Sequence, residues 1–193
     1  LAIELASARV NLLSVQQIQQ RLDHRLDLLT AATRIDPRHR SLRAALDWSY
    51  DLLTPAEQIL WQRLAVFVAG FTLNTVESAC GWGELRHPQI LELLDSLVNK
   101  SLVVVETIQT HEARYRMLET IRQYASEKLV ASGAWAETHD HYLDCFLHFA
   151  EEITPKLTLQ YQQLWMQWLA SEYDNLRVAL TWAHESQRCA AGL

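Results

Sequence analysis

The chain has 193 residues, of which 49% are apolar and 21% charged, and its formal net charge is −6. This composition is that of a core-forming globular protein and excludes a disordered one, and the acidic balance argues against nucleic-acid binding because phosphate contacts dominate that affinity. No apolar run approaches the roughly 18 residues of a membrane span, and the start at Leu1 lacks the basic residues of a signal peptide. We therefore expect a cytoplasmic protein without a membrane partner.

The cysteine pattern and the first residue give two further expectations. The three cysteines, Cys80, Cys145 and Cys189, are odd in number and far apart, which predicts reduced thiols rather than a disulfide framework. The chain begins at Leu1, inside an apolar helical pattern and without a methionine. We therefore expect a fragment of a longer protein.

Residues 1–40 predict the C-terminal part of a helical domain. Residues 1–13 carry an apolar stripe at helical spacing, and a capping box at Ser14 and Gln17 starts a second helix that runs to about Leu28. Residues 30–40 contain Pro37 and several basic side chains, which indicates an exposed linker. The first predicted domain boundary is therefore at residue 40.

Residues 41–131 predict a second domain, which opens with helices. Ser41 caps the first, and Pro55 occupies the first position of the next, which is predicted to continue to Gly70. A short helix over residues 74–80 follows. The helix over residues 88–99 has one apolar and one polar face, formed by Ile90, Leu94, Leu97 and Val98 and by Gln89, Glu92, Asp95, Ser96 and Asn99.

A change of sequence period then marks a β-hairpin and the helix after it. Residues 102–105 are apolar β-formers, and beyond a polar gap Arg114 and Arg116 alternate with Tyr115 and Met117, which is typical of a strand with one buried face. From residue 118 the period is helical to about residue 130, with Gly133 as a C-terminal cap. Helix, strand, wing, strand and helix are the order in which a winged-helix domain ends.

Residues 132–193 predict helices only. One runs from Trp135 to about Ile153, a second covers residues 161–169, and a third covers residues 173–183. Paired antiparallel helices rich in Trp and Tyr indicate the first helices of a TPR-like array. The predicted fold class is mostly α: a winged-helix domain with a small β-hairpin, flanked by helical segments, and TPR-like helices at the C-terminus.

Catalytic and metal-binding motifs are missing from the sequence. It contains no phosphate-cradling P-loop, no Gly-x-Ser-x-Gly nucleophile elbow and no Cys-x-x-Cys pair. On a helix, His139 and His141 point about 200° apart and cannot share one ion. We therefore expect no catalytic residue, no metal site and no enzymatic activity of this chain.

The helix over residues 88–99 would read the major groove if the winged helix bound DNA. Its outward side chains include Glu92 and Asp95, which repel phosphate, and only Lys100 follows them. Arg114 and Arg116 are the sole basic pair nearby. We therefore do not expect direct DNA binding by this domain.

Six segments occur in the order of a known set of motifs. They are LAIELA at 1–6, LDWSYDLL at 46–53, the apolar stretch 64–73, LVNKSL at 97–102, YRMLETIRQYA at 115–125 and SEYDNLRVAL at 171–180. The set resembles the regulatory half of the STAND (NB-ARC-type) signal-transduction ATPases, a superfamily that includes bacterial LuxR-type and SARP-type transcription regulators. The resemblance spans nearly the whole chain.

That resemblance implies a regulatory role. In such switches, helical and winged-helix domains close over ADP held by an upstream P-loop NTPase domain, and a downstream TPR-like domain senses a ligand. ATP exchange opens the protein for homo-oligomer assembly or for DNA binding by another domain. The chain itself is then expected to hold no cofactor, whereas the full-length protein binds ADP or ATP with Mg²⁺ and is an ATPase.

The resemblance also implies nucleotide-facing positions. Met117, Leu118 and Glu119 occupy the positions of the family's Met-His-Asp motif. The family's histidine, which reaches the ADP β-phosphate, is Leu118 here, so that contact is absent or comes from Arg116 or Arg122. Glu119 keeps the acid, although a carboxylate in the first turn of a helix is also favoured by the helix dipole. For Leu118, core packing is the favoured interpretation.

The sequence therefore predicts a non-catalytic regulatory fragment in which the winged helix switches with nucleotide state and couples to a helical sensor. Two alternatives stay open. The first is a DNA-binding winged helix of a transcription factor. The second is a helical scaffold that binds peptides or proteins.

Overall fold

The computed structural model describes residues 42–106, 113–153 and 162–186. The chain divides into two compact units, residues 1–54 and 55–193. In the first unit the described residues form helix α1, Leu42–Asp51, in which the Ser49 hydroxyl donates to the Ala45 carbonyl at 2.8 Å. The helices and the linker predicted within residues 1–40 lie outside the described residues. The division into domains at residues 40 and 131 stays a prediction.

The second unit begins with a helix that ends earlier than predicted. Helix α2, Pro55–Arg63, starts at the proline because its fixed φ suits the first helical turn. A 3-10 turn over Leu64–Val66 follows, and Phe67 is extended, with φ −82° and ψ 120°. The prediction that α2 continues to Gly70 is therefore wrong, since the extended Phe67 ends the helical hydrogen bonding. We refer to residues 67–70 as the junction loop.

A three-stranded antiparallel sheet follows, of which the sequence predicts only two strands. Strands β1 (Phe71–Thr72), β2 (Val104–Glu106) and β3 (Arg114–Arg116) lie in the order β1-β3-β2. Phe71 is opposite Tyr115, and their rings stack with centroids 6.2 Å apart. The junction loop reaches β1 through Gly70, whose φ of +88° is one that L side chains rarely adopt.

Helices α3 (Leu73–Cys80), α4 (His87–Asn99) and α5 (Glu119–Ala131) complete a winged-helix arrangement with α2 and the sheet. The α3 helix is capped by the Thr72 hydroxyl, which accepts from the Thr75 amide at 3.3 Å. Gly133 follows α5 with φ +77°, as its predicted capping role requires. The core residues with almost no exposure include Leu60, Trp61, Leu64, Phe71, Ile90, Leu94, Leu97, Tyr124 and Leu129.

Two long helices pack after the winged helix. Helix α6 is Trp135–Ile153, with the bounds that the sequence predicts. Helix α7 is Gln162–Glu185, so the prediction of two separate helices in this stretch is wrong. No glycine or proline interrupts the stretch, and nothing in its backbone chemistry requires a break. The fold is thus mostly helical with a small sheet and a winged-helix domain, as predicted, and the repeat array stays a prediction.

The described cysteines are free and buried. Cys80 and Cys145 are free thiols in the structure, and the reduced state of the cysteines stays a prediction. Burial raises the pKa of each thiol to about 12, so both are neutral and poorly nucleophilic near pH 7. Within the part of the chain that is described, no helix is long and apolar enough to cross a membrane.

Candidate functional site

Helix α4 presents an acidic and amide-rich face to solvent. Ile90, Leu94 and Leu97 are buried as predicted, which leaves the opposite side of the helix outward. The exposed side chains there are His87, Gln89, Leu91, Glu92, Asp95 and Asn99. Two of these are carboxylates, and the amide of Asn99 donates to Asp95 at 3.0 Å. The face therefore carries polar groups and no lysine or arginine, and the exposed Arg86 lies just before it.

The cation that follows α4, Lys100, is paired with a buried carboxylate. Nζ of Lys100 lies 2.6 Å from Oε1 of Glu57, a buried carboxylate on α2. The Ser96 hydroxyl donates to the same oxygen at 2.5 Å. Ser96, predicted on the outward face, is therefore half-buried and turned toward α2, because a buried carboxylate requires hydrogen-bond donors. This cluster holds the end of α4 against α2.

The arginines of the hairpin have different environments. Arg114 is buried, and its guanidinium pairs with Glu172 of α7. The alternation of Arg and Tyr predicts that Arg114 is exposed and that only the apolar side chains of the strand face inward. Arg114 is buried instead, because Glu172 supplies a compensating charge. Nε of Arg116 lies 2.5 Å from Oε1 of Glu106 on the neighbouring strand, and both side chains are partly exposed.

The predicted nucleotide-facing residues lie at the start of α5. Met117 is buried, and Leu118 precedes the first helical residue with 45% of its surface exposed. The interpretation of Leu118 as a core residue is therefore wrong, since it lies where the extended chain turns outward into the helix. Glu119 occupies the first turn of α5, where the positive end of the helix dipole favours an acid.

Glu119 and Arg122 form a two-point ion pair on the surface of α5. Nε and Nη2 of Arg122 each donate to one carboxylate oxygen of Glu119 at 2.9 Å. The Gln123 amide donates to Oε1 at 2.9 Å. Nη1 of Arg122 donates to the Ala65 carbonyl at 3.2 Å and so ties α5 to the 3-10 turn. The five predicted site residues, which are neighbours in sequence, lie at the end of β3 and in the first turn of α5. Their contact with a nucleotide stays a prediction.

A fifth cation of the domain, Arg63, is also engaged. Its Nη1 donates to the carbonyls of Cys80 and Trp82 at 2.7 and 2.8 Å. The guanidinium carbon lies 3.4 Å from the centroid of the Trp82 ring, and His141 of α6 stacks on that ring at 4.5 Å. Burial lowers the pKa of Arg63, although arginine remains charged at neutral pH.

The structure also contains a buried polar junction that the sequence does not predict. Asn175 of α7 has no exposed surface. Its Oδ1 accepts from the amides of Val68 and Ala69 at 3.1 and 3.3 Å, and its Nδ2 donates to the Gly70 carbonyl at 2.8 Å and to Oε2 of Glu172 at 2.7 Å. All four hydrogen-bonding positions of the amide are therefore used. The only signal in the sequence is a pair of polar residues inside a helical apolar pattern.

Glu172 completes the same junction. Its side chain is 1% exposed, and one oxygen pairs with Arg114 while the other accepts from Asn175. Arg114 also donates to the carbonyls of Ala69 and Ser171 at 3.5 and 3.4 Å. The junction therefore connects β3, the junction loop and α7 through the buried side chains of Arg114, Glu172 and Asn175.

The two histidines singled out by the sequence are engaged with aromatic rings. His139 lies between Trp135, at 4.1 Å between ring centroids, and Trp182 of α7, at 4.8 Å. Its Nδ1 is 3.0 Å from the Trp135 carbonyl, and burial lowers the pKa of the imidazole. Among the described residues, no group of three His, Cys, Asp or Glu side chains could hold a metal ion.

Comparison with known proteins agrees with this geometry. The family described as "Winged helix-turn-helix domain" matches residues 53–130, from just before α2 to the end of α5. Two proteins named "Putative HTH-type transcriptional regulator", from Mycobacterium bovis and Mycobacterium tuberculosis, are 41% identical to the chain over 187 residues, which is 96% of this chain but 21% of theirs. An "Uncharacterized protein" of Mycobacterium tuberculosis is 41% identical over 135 residues, which is 69% of this chain and 34% of its own length.

Proposed function

We propose that the chain is a regulatory segment of a longer transcription regulator, and that its winged helix acts by binding other parts of the same protein. The family match and the names of the relatives support the first half. The proposal that the winged helix binds other parts of the same protein rests on the pairing of its positive side chains. Five of the seven lysine and arginine side chains in residues 53–130 are hydrogen-bonded or ion-paired within the chain, namely Arg63, Lys100, Arg114, Arg116 and Arg122.

That engagement matters because phosphate contacts dominate protein–DNA affinity and need available cations. A cation already paired with a carboxylate contributes little, since the pair must be broken or the carboxylate brought close to phosphate. Glu92 and Asp95 on the outward face of α4 add repulsion. A surface of this kind favours a protein partner over a nucleic acid.

DNA binding is the second candidate, and the match to the winged helix-turn-helix family favours it. Helix α4 occupies the place of a reading helix and exposes Gln89 and Asn99, whose amides are the type that pairs with adenine. If this candidate holds, the domain itself reads the target site.

Fluorescence anisotropy on pooled genomic duplexes tests both candidates. We expect the dissociation constant of the chain to be weaker than about 10⁻⁴ M, the weak limit of non-specific binding at physiological salt. As a matched control, the double variant Glu92→Gln/Asp95→Asn removes the repulsive charges and should leave binding equally weak. Saturable binding with a steep salt dependence, strengthened in that variant and weakened in Gln89→Ala, would establish the DNA-binding candidate instead.

For the longer protein, the resemblance to STAND ATPases supports a finer proposal. The winged helix would contact an upstream P-loop NTPase domain that holds ADP or ATP with Mg²⁺, and the start of α5, with Met117, Leu118 and Glu119, would face the nucleotide. Leu118 offers no hydrogen-bond donor, and both Arg116 and Arg122 are paired with carboxylates. A phosphate contact from either arginine side chain therefore requires its ion pair to rearrange.

In the full-length protein, Glu119→Ala should change the basal rate of ADP release, because the variant frees Arg122 from its two-point ion pair. The rate can be followed with a fluorescent ADP analogue. Glu127→Ala is the control, since this exposed residue lies two turns further along α5. An unchanged rate together with a lower melting temperature would assign Glu119 a role in helix stability alone.

A further inference from the structure

Helix α7 is attached to the rest of the domain by two kinds of contact. Near its C-terminus, Ala179 and Ala183 are buried, and the Trp182 indole donates to Oδ1 of Asp140 on α6 at 2.9 Å. Nearer its middle, Glu172 and Asn175 attach it to β3 and the junction loop through an ion pair and hydrogen bonds, and the Asn175 carbonyl accepts from the Tyr142 hydroxyl of α6 at 3.0 Å. The two attachments therefore differ in chemistry, and only the second joins α7 to β3 and the junction loop.

The polar attachment consists of bonds between α7 and the winged helix. Asn175 binds the amides of Val68 and Ala69 and the carbonyl of Gly70, which all belong to the junction loop. Glu172 pairs with Arg114 of β3. Separation of α7 from the winged helix breaks these bonds together, and each freed group would then be solvated by water.

Such an attachment has a small net free energy. A buried ion pair loses about as much hydration as it gains by pairing, so an intact pair contributes little to stability. The neutral hydrogen bonds of Asn175 likewise replace bonds to water. Helix α6 is attached in a different way, because Phe67 packs against Tyr142 with ring centroids 5.1 Å apart, and separation would expose apolar surface.

We propose that Arg114, Glu172 and Asn175 form a polar latch, through which α7 docks reversibly on the winged helix while α6 stays packed against it. Opening turns α7 about its contacts with α6 and releases the junction loop. The latch gives the helical region a way to alter the winged helix by a local two-state change. That the helical region acts on the winged helix through this latch rests on the proposed function. The opening of the latch does not.

Hydrogen exchange of the 193-residue chain, measured by NMR, tests the latch directly. The amides of Val68 and Ala69 report closure because both donate to Asn175. We expect them to exchange at least tenfold faster than the fully buried Leu129 in α5, with a weak dependence on denaturant. Exchange of all three amides at one common rate would mean that α7 leaves only on global unfolding, and would overturn the proposal.

Variants on both sides of the pair sharpen the test. Glu172→Gln leaves Arg114 uncompensated when the latch is closed, so exchange at Val68 and Ala69 should rise at least tenfold further while Leu129 is unchanged. The double variant Arg114→Met/Glu172→Gln removes both charges but keeps an acceptor for the Asn175 amide, so exchange at Val68 and Ala69 should be slower in it than in Glu172→Gln. An equal acceleration at Leu129 in Glu172→Gln, or exchange in the double variant as fast as in Glu172→Gln, would contradict the latch.

Asp174→Asn is the matched control. Asp174 lies on the same helix, is largely exposed and is 3.9 Å from Arg177 in an exposed pair, so exchange at Val68 and Ala69 should not change. The outcome is independent of the DNA assay. A chain that shows the latch behaviour and also binds DNA tightly would retain the latch and reject the proposed function.

Discussion

Gly70→Ala should lower the free energy of unfolding by about 2–5 kcal/mol, because it combines the cost of a left-handed backbone for an L side chain with that of overpacking. Gly70 has φ +88°, and a methyl group on its Cα would lie 2.9 Å from the carbonyl oxygen of Tyr115. That oxygen belongs to β3 and cannot withdraw without disturbing the pairing with β1. Urea denaturation followed by circular dichroism measures the change.

Gly133→Ala separates the two contributions. Gly133 also has a positive φ, +77°, but nothing lies within 4 Å of the position its Cβ would take. Only the backbone cost applies there, which is about 1–2 kcal/mol. Equal losses in the two variants would show that the strand accommodates the methyl group, and that Gly70 is required for its φ alone.

Gly70 matters because of its place in the junction loop. Its carbonyl accepts from Asn175 of α7, and its backbone leads directly into β1. Phe67, at the other end of the loop, packs on α6. The four residues of the junction loop therefore contact the sheet, α6 and α7. A small movement of this loop would change its contacts with all three elements.

The sequence predicts the helices well because their signals are local. The apolar stripe of α4 and the proline that opens α2 are properties of neighbouring residues, and the structure places both as predicted. Strand β1 has two residues, too few for an alternation to be recognised. Helix α7 is predicted as two helices because aromatic residues fall into two groups, whereas its backbone continues through them.

The polar contacts are harder to predict because their partners are distant in sequence. From the sequence, Lys100 could bind phosphate. In the structure its Nζ lies 2.6 Å from Oε1 of Glu57, which is 43 residues earlier in the chain. Arg114 alternates like a solvent-facing residue, but its partner Glu172 is 58 residues further on. A carboxylate or an amide on a helix is predicted to be exposed, since polar side chains usually are. Only the tertiary fold shows that Glu172 and Asn175 are buried and fully bonded.

The positive side chains of the winged helix are mostly engaged in contacts within the chain. The engaged arginines and lysine contact α2, the sheet, α5 and α7, so much of the positive charge of the domain is paired within it, while Arg86, Lys100 and Arg116 remain at least partly exposed. A helix-turn-helix regulator of the length of the relatives has room for other domains, because the aligned part covers 21% of their length. The geometry is thus consistent with a winged helix whose partners are protein surfaces.

Phe67→Ala should lower the free energy of unfolding by about 3–5 kcal/mol, the range for truncating a buried aromatic side chain. Phe67 is 2% exposed, and its ring centroid lies 5.0 Å from that of Phe71 and 5.1 Å from that of Tyr142. The variant removes the aromatic contact between the winged helix and α6 and leaves a cavity between them. Urea denaturation, followed by tryptophan fluorescence and by circular dichroism, measures the loss.

Val68→Ala is the neighbouring control. The Val68 side chain is 41% exposed, and its bond to Asn175 uses the backbone amide, which alanine retains. Its cost should stay within about 0.5 kcal/mol, as is usual for surface substitutions. A loss below about 1 kcal/mol in Phe67→Ala, comparable with that of Val68→Ala, would mean that the aromatic cluster does not hold α6 on the winged helix. The latch between α7 and the junction loop would then have no fixed support against which to open, because α6 would move with it.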